Sequence, residues 1–239
     1  MSSVHFFHGA WGNPAQHLPF VQVLCRHFFV NAAPLLGHGC GEDPGGLSIH
    51  DFSACARGAV SKPVVLVGHS MGALVAQYAA SRNARVQGLV LLAPAPPPRT
   101  LYKGEIWRRV WKYLPALLSG RAFELTDDDS RALLLHPAQE ARVRFRSESG
   151  RAVRDLVLGQ FFGFRPKVTC PVLVVAAEED TMMPLPVCKQ IAHIYGADFA
   201  VVRGAGHMLT CEPWAEETAG IVRTWIHERV ASTTTRPHR

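Results

Sequence analysis

Residues 63–82 read Pro-Val-Val-Leu-Val-Gly-His-Ser-Met-Gly-Ala-Leu-Val-Ala-Gln-Tyr-Ala-Ala-Ser-Arg, and this stretch decides the fold. Its first part, Pro63 to Val67, is apolar and mostly β-branched, which predicts a buried strand. Its last part, Ala73 to Arg82, is rich in helix formers and free of proline, which predicts a helix. Between them, Gly68 to Gly72 read G-x-S-x-G, the pattern of a nucleophile elbow in this strand-to-helix context.

The turn gives Ser70 its expected chemistry. A tight backbone there would hold the hydroxyl clear of its neighbours, and the flanking glycines remove side chains that would clash. The N-terminus of the following helix favours negative charge as it develops. The alternative is a serine that merely caps the helix after an ordinary turn.

Composition indicates one large domain with a sizeable core, because 239 residues are 48% apolar and 18% charged. No apolar run is long enough to span a bilayer, and the start lacks the basic region of a secretory signal. The six cysteines are scattered without a C-x-x-C pair, so we expect neither disulfides nor a metal site. A cytoplasmic protein without membrane attachment fits these features best.

The net charge of +6 is unevenly distributed. Residues 99–167 hold 14 Lys or Arg and 8 Asp or Glu, so this segment accounts for the whole excess. A solvated helical face would explain it, and so would a surface that guides an acidic ligand, with Arg108 and Arg109 as the pair to test. Nothing in the pattern resembles a nucleic-acid-binding fold, so we expect no nucleic-acid partner.

Strands and helices alternate along most of the chain. Apolar strand patterns occur at residues 4–7, 28–32, 63–67, 86–93, 171–177 and 199–202. This alternation predicts an α/β protein, a three-layer α/β/α sandwich around a mostly parallel sheet of about six strands. Residues 1–95 and 167–239 would form the core, and residues 96–166 would form a small helical lid inserted in it.

Four polar residues fall just after predicted strands, where parallel sheets bind their ligands: His8, Ser70, Asp180 and His207. A serine needs a base to take its proton and a carboxylate to orient that base. The order Ser70, Asp180, His207 predicts such a catalytic set. Glu178 and Glu179 are alternative carboxylates. Separately, Asp180 could instead cap a helix and His207 could be an ordinary loop histidine.

Acyl transfer also needs hydrogen-bond donors for an oxyanion. We expect the N–H of Met71, which follows the serine, and the N–H of Ala10, in the loop after the first strand. Trp11 is a less favoured donor. Trp11, His8, His69 and Met208 are candidates for the substrate pocket, although His8 and His69 are more typical of residues that bond within their own loops.

Five short motifs together resemble the α/β-hydrolase fold superfamily: Phe7-His8-Gly9-Ala10-Trp11, Gly37-His38-Gly39, Gly68-His69-Ser70-Met71-Gly72, Glu179-Asp180 and Gly206-His207. The resemblance covers about residues 4–96 and 168–230. It implies a Ser-Asp-His triad, no cofactor, and attack on an ester, thioester, amide or related bond. The first motif is similar to plant-type methyl esterases and hydroxynitrile lyases, and the residues around Ser70 also resemble type II thioesterases.

One departure from that superfamily is evident at the start of the chain. Its members usually have two strands before the one that leads to the oxyanion loop, and here that strand begins at Val4. We therefore expect about six strands and an exposed sheet edge, or a partner that covers it.

The sequence predicts a serine hydrolase that cleaves a small carboxylic ester or thioester through an acyl-enzyme on Ser70. An acidic carrier or a coenzyme A thioester would suit the basic lid. The alternatives are a lyase or cyclase that uses the same site, and a ligand receptor with little turnover.

Overall fold

A six-stranded parallel sheet forms the centre of the protein, as predicted. The computed structural model describes residues 2–100, 106–139, 145–159 and 164–231. The strands of its sheet are β1 (Ser3–Phe7), β2 (Phe29–Asn31), β3 (Val64–His69), β4 (Val86–Leu92), β7 (Val172–Ala177) and β8 (Asp198–Val202). They lie side by side in the order β2-β1-β3-β4-β7-β8, and each neighbouring pair is parallel.

Strand β3 lies in the middle of the sheet, and this places Ser70 near the centre of the molecule. Every residue from Val64 to His69 is buried. Successive side chains point to opposite faces, so Val64 and Leu66 join one apolar cluster while Val65 and Val67 join the other. A strand covered on both faces must be apolar along its whole length, as this one is until its last two residues.

Helices cover both faces of the sheet. One face carries α1 (Leu18–Cys25) and α9 (Ala215–Ile226), which pack against each other, and the opposite face carries α2 (Ile49–Gly58), α3 (Met71–Ala80) and α8 (Leu185–Tyr195). A 3₁₀ helix at Pro14–His17 precedes α1, and a π-helical turn at His227–Ala231 extends α9. The predicted cap of α2 is confirmed, because the Ser48 hydroxyl accepts the Asp51 N–H at 3.1 Å.

The segment between β4 and β7, which we call the lid segment (residues 96–166), is mainly helical in its described parts. It contains α4 (Ile106–Arg109), a 3₁₀ helix at Val110–Tyr113, α5 (Leu114–Ser119), α6 (Asp127–Leu134) and α7 (Gly150–Gly159). It also contains two short antiparallel strands that the sequence analysis did not predict, β5 (Ala122–Phe123) and β6 (Glu148–Ser149). Residues 101–105, 140–144 and 160–163 of the segment lie outside the described residues.

Five apolar residues recur at helical spacing in this segment, yet they do not form one buried stripe: Ile106, Val110, Leu114, Leu117 and Leu118. Ile106, Val110 and Leu117 are buried, but Leu114 is 39% and Leu118 69% exposed. The physical reason is the 3₁₀ turn between α4 and α5. It has about three residues per turn rather than 3.6, so helical spacing in the sequence does not keep the five side chains on one face.

A buried carboxylate holds the first half of the lid segment together. Asp129 accepts hydrogen bonds from Arg109 at 2.7 Å, from Lys112 at 3.0 Å and from the Tyr113 hydroxyl at 2.7 Å. Burial raises the pKa of this carboxyl, but these donors outweigh burial and hold the pKa well below its usual range. Asp129 lies in the first turn of α6 and therefore joins that helix to α4 and to the 3₁₀ turn that follows α4.

The exposed sheet edge expected from the short N-terminus is present at β2, where Phe29 is 66% exposed. Within the described residues, no helix is both long and apolar enough to cross a membrane.

Candidate active site

Ser70 lies in a strained turn between β3 and α3. Its φ is +53° and its ψ is −119°, a conformation that residues with a side chain rarely adopt. The turn is fixed from both sides, since the Ser70 N–H donates to Leu92 O at 2.9 Å and its carbonyl accepts the Ala95 N–H at 3.0 Å. The serine hydroxyl is therefore presented at the carboxyl end of the sheet.

The two glycines of the elbow are required by close contacts. A Cβ at Gly72 would lie 2.3 Å from the carbonyl oxygens of Phe7 and His8, and a Cβ at Gly68 would lie 2.3 Å from Gly72 O. Such distances are far inside van der Waals contact, so neither position has room for a methyl group. The G-x-S-x-G spacing thus follows from packing of the elbow against the end of β1.

The structure brings the three predicted residues into one hydrogen-bonded chain. His207, in the loop after β8, places Nε2 2.9 Å from Ser70 Oγ and Nδ1 2.8 Å from Asp180 Oδ2. Because Asp180 can only accept when ionised, Nδ1 carries the proton, and Nε2 is left to accept the serine hydroxyl proton. All three side chains are buried.

Asp180 is itself held in position by backbone donors. Its Oδ1 accepts the N–H groups of Met182 at 2.8 Å and Met183 at 2.9 Å, which leaves Oδ2 for His207. The alternative carboxylates have other partners: Glu178 accepts from Gly204 N–H, and Glu179 pairs with His136 at 2.9 Å. The geometry therefore favours Asp180 over both glutamates.

Three further histidines are packed around this chain in their neutral form. Burial lowers the pKa of His8 to about 3 and that of His69 to about 3, and it holds the pKa of His17 well below its usual value. His8 donates to Gly9 O and accepts the Leu35 N–H, while His69 Nε2 donates to the carbonyl of His207. These histidines act as neutral packing and hydrogen-bonding groups that support the site from behind.

A small cavity of about 30 Å³ lies over Ser70. The described residues that line it include Ala10, Trp11, Ile106, Leu134, Met182 and Met183. The cavity is about large enough for one or two water molecules, and Ile106 and Leu134 of the lid segment border it.

Of the four residues predicted for the substrate pocket, Trp11 lines the cavity. His8, His69 and Met208 are not among the described residues that line it, so their place in a substrate pocket stays a prediction. The nitrogens of His8 and Nε2 of His69 bond to the backbone, and Met208 is buried with its carbonyl accepting from Gln139.

The two predicted oxyanion donors, the N–H groups of Ala10 and Met71, belong to segments next to Ser70. Met71 is the first residue of α3, directly after the serine, and Ala10 lies in the loop after β1. The third candidate, the Trp11 N–H, already donates to Glu148 Oε2 at 3.2 Å. This bond makes Trp11 unsuitable as an oxyanion donor and leaves Ala10 as the better choice.

Sequence reasoning missed Glu148, which is fully buried and reaches the loop after β1 from the lid segment. It lies 137 positions from Trp11 in the chain, and no local motif reports a contact of that range. A buried glutamate would have been a signal, but burial of an acid cannot be read from a segment that is otherwise basic and polar.

A second and larger cavity, of about 210 Å³, lies beside the first. It is lined by Ile49, Leu74 and Tyr78 of the core and by Asp155 of α7, and it shares Pro96 and Leu156 with the cavity over Ser70. These two shared residues form the wall between the cavities.

Within the part of the chain that the structure describes, no group of three His, Cys, Asp or Glu side chains has the arrangement of a metal site.

Residues 6–220 match the Alpha/beta hydrolase family. A pimeloyl-[acyl-carrier protein] methyl ester esterase of Serratia marcescens is 28% identical over 92% of this chain and 84% of its own length. Among solved structures, an extracellular alpha/beta-hydrolase from a Paenibacillus species superposes with a TM-score of 0.75 at 17% identity, covering 94% of this chain and 98% of that one. A methylesterase from Arabidopsis gives a TM-score of 0.71 at 15% identity, with coverage of 94% and 98%.

Proposed function

Because the chain belongs to the alpha/beta hydrolase family, we propose that it is a serine hydrolase that cleaves carboxylic esters or thioesters through Ser70. The observation that carries this proposal is the continuous chain Ser70–His207–Asp180, with bonds of 2.9 and 2.8 Å. The expectation of an enzyme that acts on ester bonds is supported by the Serratia relative, which is named a methyl ester esterase.

In the first half of the reaction, Ser70 Oγ attacks the substrate carbonyl carbon while its proton passes to His207 Nε2. Asp180 stabilises the imidazolium that forms. The N–H groups of Ala10 and Met71 donate hydrogen bonds to the oxyanion. This stabilisation of its negative charge is the largest single contribution to lowering the barrier. Collapse of this intermediate breaks the bond to the alcohol or thiol, which leaves with the proton from His207.

In the second half, water attacks the acyl-enzyme. His207 Nε2 takes the proton of the water, and collapse of the second tetrahedral intermediate releases the carboxylic acid and restores the Ser70 hydroxyl. No cofactor takes part in these steps. The strained conformation of Ser70 keeps its oxygen aligned for both of them.

We also propose residues 96–166 as a lid on the core formed by residues 1–95 and 167–239. A cavity of about 30 Å³ cannot hold an acyl group together with its leaving group, so binding requires the lid to shift. The neighbouring cavity of about 210 Å³ offers room for the longer part of a substrate. Movement of Leu156, which lines both cavities, would join them.

The preferred substrate is an acyl group on an acidic carrier or on coenzyme A. The basic excess of the lid segment supports it, and so does the similarity to an esterase named for a substrate linked to acyl-carrier protein. Exposed Trp111 and Leu118 lie on the same segment and could add apolar contact. A cytoplasmic location suits such a partner and the six free thiols.

One observation favours a second candidate. The cavity over Ser70 has room for only one or two water molecules, and a lyase or cyclase would benefit from a site that excludes water. A receptor with little turnover would use the same enclosed pocket without needing the hydrogen-bonded chain beneath it.

The test is a screen of p-nitrophenyl esters against acyl-thioesters, with Ser70→Ala as the control. We expect sustained, Ser70-dependent release of acid and of alcohol or thiol. Binding without turnover would favour the receptor, and conversion without net uptake of water would favour the lyase or cyclase.

A further inference from the structure

Glu148 is a buried acid of the lid segment that contacts the core next to the proposed oxyanion site. It begins the two-residue strand β6 and has no exposed surface. Its Oε2 accepts the Trp11 N–H at 3.2 Å and lies 3.1 Å from His38 Nε2, and its Oε1 accepts the Ser149 N–H at 2.7 Å. Both carboxylate oxygens therefore have partners, and these partners hold the group beside the backbone of Trp11.

His38 completes a buried ion pair with this carboxylate. Its second nitrogen, Nδ1, lies 3.1 Å from Leu36 O, so both ring nitrogens face acceptors and both donate. Burial lowers the pKa of His38, but the hydrogen bond and charge of Glu148, assisted by Leu36 and Glu42, raise it above the usual value. The imidazolium is the form that this geometry satisfies.

The lid segment holds the backbone of Trp11 on both sides. The Trp11 N–H donates to Glu148, and the Trp11 carbonyl accepts the Arg146 N–H at 2.8 Å. Trp11 has a φ of +56°, a conformation that costs free energy and persists only where the surroundings impose it. The peptide group whose N–H bonds Glu148 is the one that joins Ala10 to Trp11, so this bond also fixes the orientation of Ala10.

We infer that Glu148, supported by His38, is a positioning residue that sets the Ala10–Trp11 turn so that the Ala10 N–H faces the oxyanion. The inference rests on the proposed function, because it assigns a role within the same reaction. The oxyanion site is then complete only when β6 of the lid segment is docked on the core. Closure of the lid segment and completion of the oxyanion site then occur together. An enzyme whose lid segment is open therefore does not stabilise the transition state.

The chain offers a matched control in its second histidine–glutamate pair between lid segment and core. His136 Nε2 and Glu179 Oε2 are 2.9 Å apart, but the Glu179 side chain is 55% exposed. This pair shares the chemistry of His38–Glu148 and the bridging of the two regions. It lacks the bond to the turn.

The experiment compares Glu148→Ala, Glu148→Gln and Glu179→Ala, using a hydrolysed p-nitrophenyl ester and phenylboronic acid, which forms a tetrahedral adduct with an active serine. For Glu148→Ala we expect kcat to fall about 10- to 100-fold with KM within about threefold, and the inhibition constant of the boronic acid to rise in parallel. Glu148→Gln should recover about fivefold relative to alanine, because its amide oxygen still accepts the Trp11 N–H. Glu179→Ala should change each value less than about twofold.

Several results would overturn the inference. A folded Glu148→Ala protein with normal kcat, or with a lower kcat and unchanged boronic acid inhibition, contradicts a positioning role. If the alanine variant does not fold, the isosteric glutamine variant decides: a kcat and an inhibition constant both equal to wild type overturn the role. A wild-type protein without Ser70-dependent esterase activity overturns the proposed function as well, whereas an active wild type with unaffected Glu148 variants overturns the positioning role alone.

Discussion

The core and the lid segment are organised by different forces. In the core, Ser70, Asp180 and His207 meet because the strands before them end at one edge of a parallel sheet. In the lid segment, long-range side-chain pairs fix the structure, chiefly at Asp129 and Glu148. The comparison teaches that backbone topology places the reacting groups, while buried charges place the segment that closes over them.

The largest expected effect lies in the core. Ser70→Ala and His207→Ala should each lower kcat by at least about 10³-fold, and the double variant should be little worse than either, because the residues act as one unit. Steady-state kinetics on the best ester measures this. Near-wild-type turnover in Ser70→Ala would contradict the assignment of Ser70 as the nucleophile. The core would then no longer differ from the lid segment in holding the reacting groups.

Asp180→Asn should lower kcat by about 10³- to 10⁴-fold, since an amide at this position favours the wrong tautomer of His207. The matched control is Glu178→Gln, a carboxylate two residues away that bonds Gly204 instead. Kinetics of the two variants side by side separates them. A larger loss of kcat in Glu178→Gln than in Asp180→Asn would assign the orienting role to Glu178 instead.

The same contrast explains what the sequence could predict. The elbow, the placement of polar residues after strand ends and the fold class depend on local sequence patterns. The clearest of these is the strand, tight glycine-flanked turn and helix within residues 63–82. The bond from Glu148 to Trp11 depends on how a distant segment docks, and no spacing within either motif contains that information. The break between α4 and α5 was missed because a 3₁₀ turn keeps the helical composition while changing the periodicity.

The lid segment should show its reliance on buried charge at acidic pH. The folded-state pKa of Asp129 is lowered, so its stabilising contribution is complete above the unfolded pKa of about 4 and is lost as pH falls below it. We expect Asp129→Asn to lower the free energy of unfolding by about 2 kcal/mol at pH 6, through weaker bonds to Arg109 and Lys112. The difference from wild type should shrink by pH 3.5.

Urea unfolding at both pH values tests this, with Asp128→Asn as the control because Asp128 is the exposed neighbour in the same helical turn. An equal pH dependence in wild type and Asp129→Asn would show that Asp129 is not the group on which the segment relies.

The smallest expected effect concerns the surface of the lid segment. Arg109 bonds Asp129, so Arg108, which is exposed, is the better residue for testing electrostatic guidance. Arg108→Ala should lower kcat/KM for an anionic acyl-thioester about twofold at low salt, and the loss should vanish near 0.5 M salt, where screening is strong. A neutral short ester should be unaffected. Equal losses on both substrates would identify a structural role instead.

Labelling with a fluorophosphonate, followed by intact-protein mass spectrometry and peptide mapping, tests the central claim most directly. The account predicts one adduct per wild-type chain, located on Ser70, and none on Ser70→Ala. Labelling should be strongly slowed in His207→Ala. An adduct on another residue, or undiminished labelling of Ser70→Ala, would contradict the claim that the core presents Ser70 as an activated nucleophile.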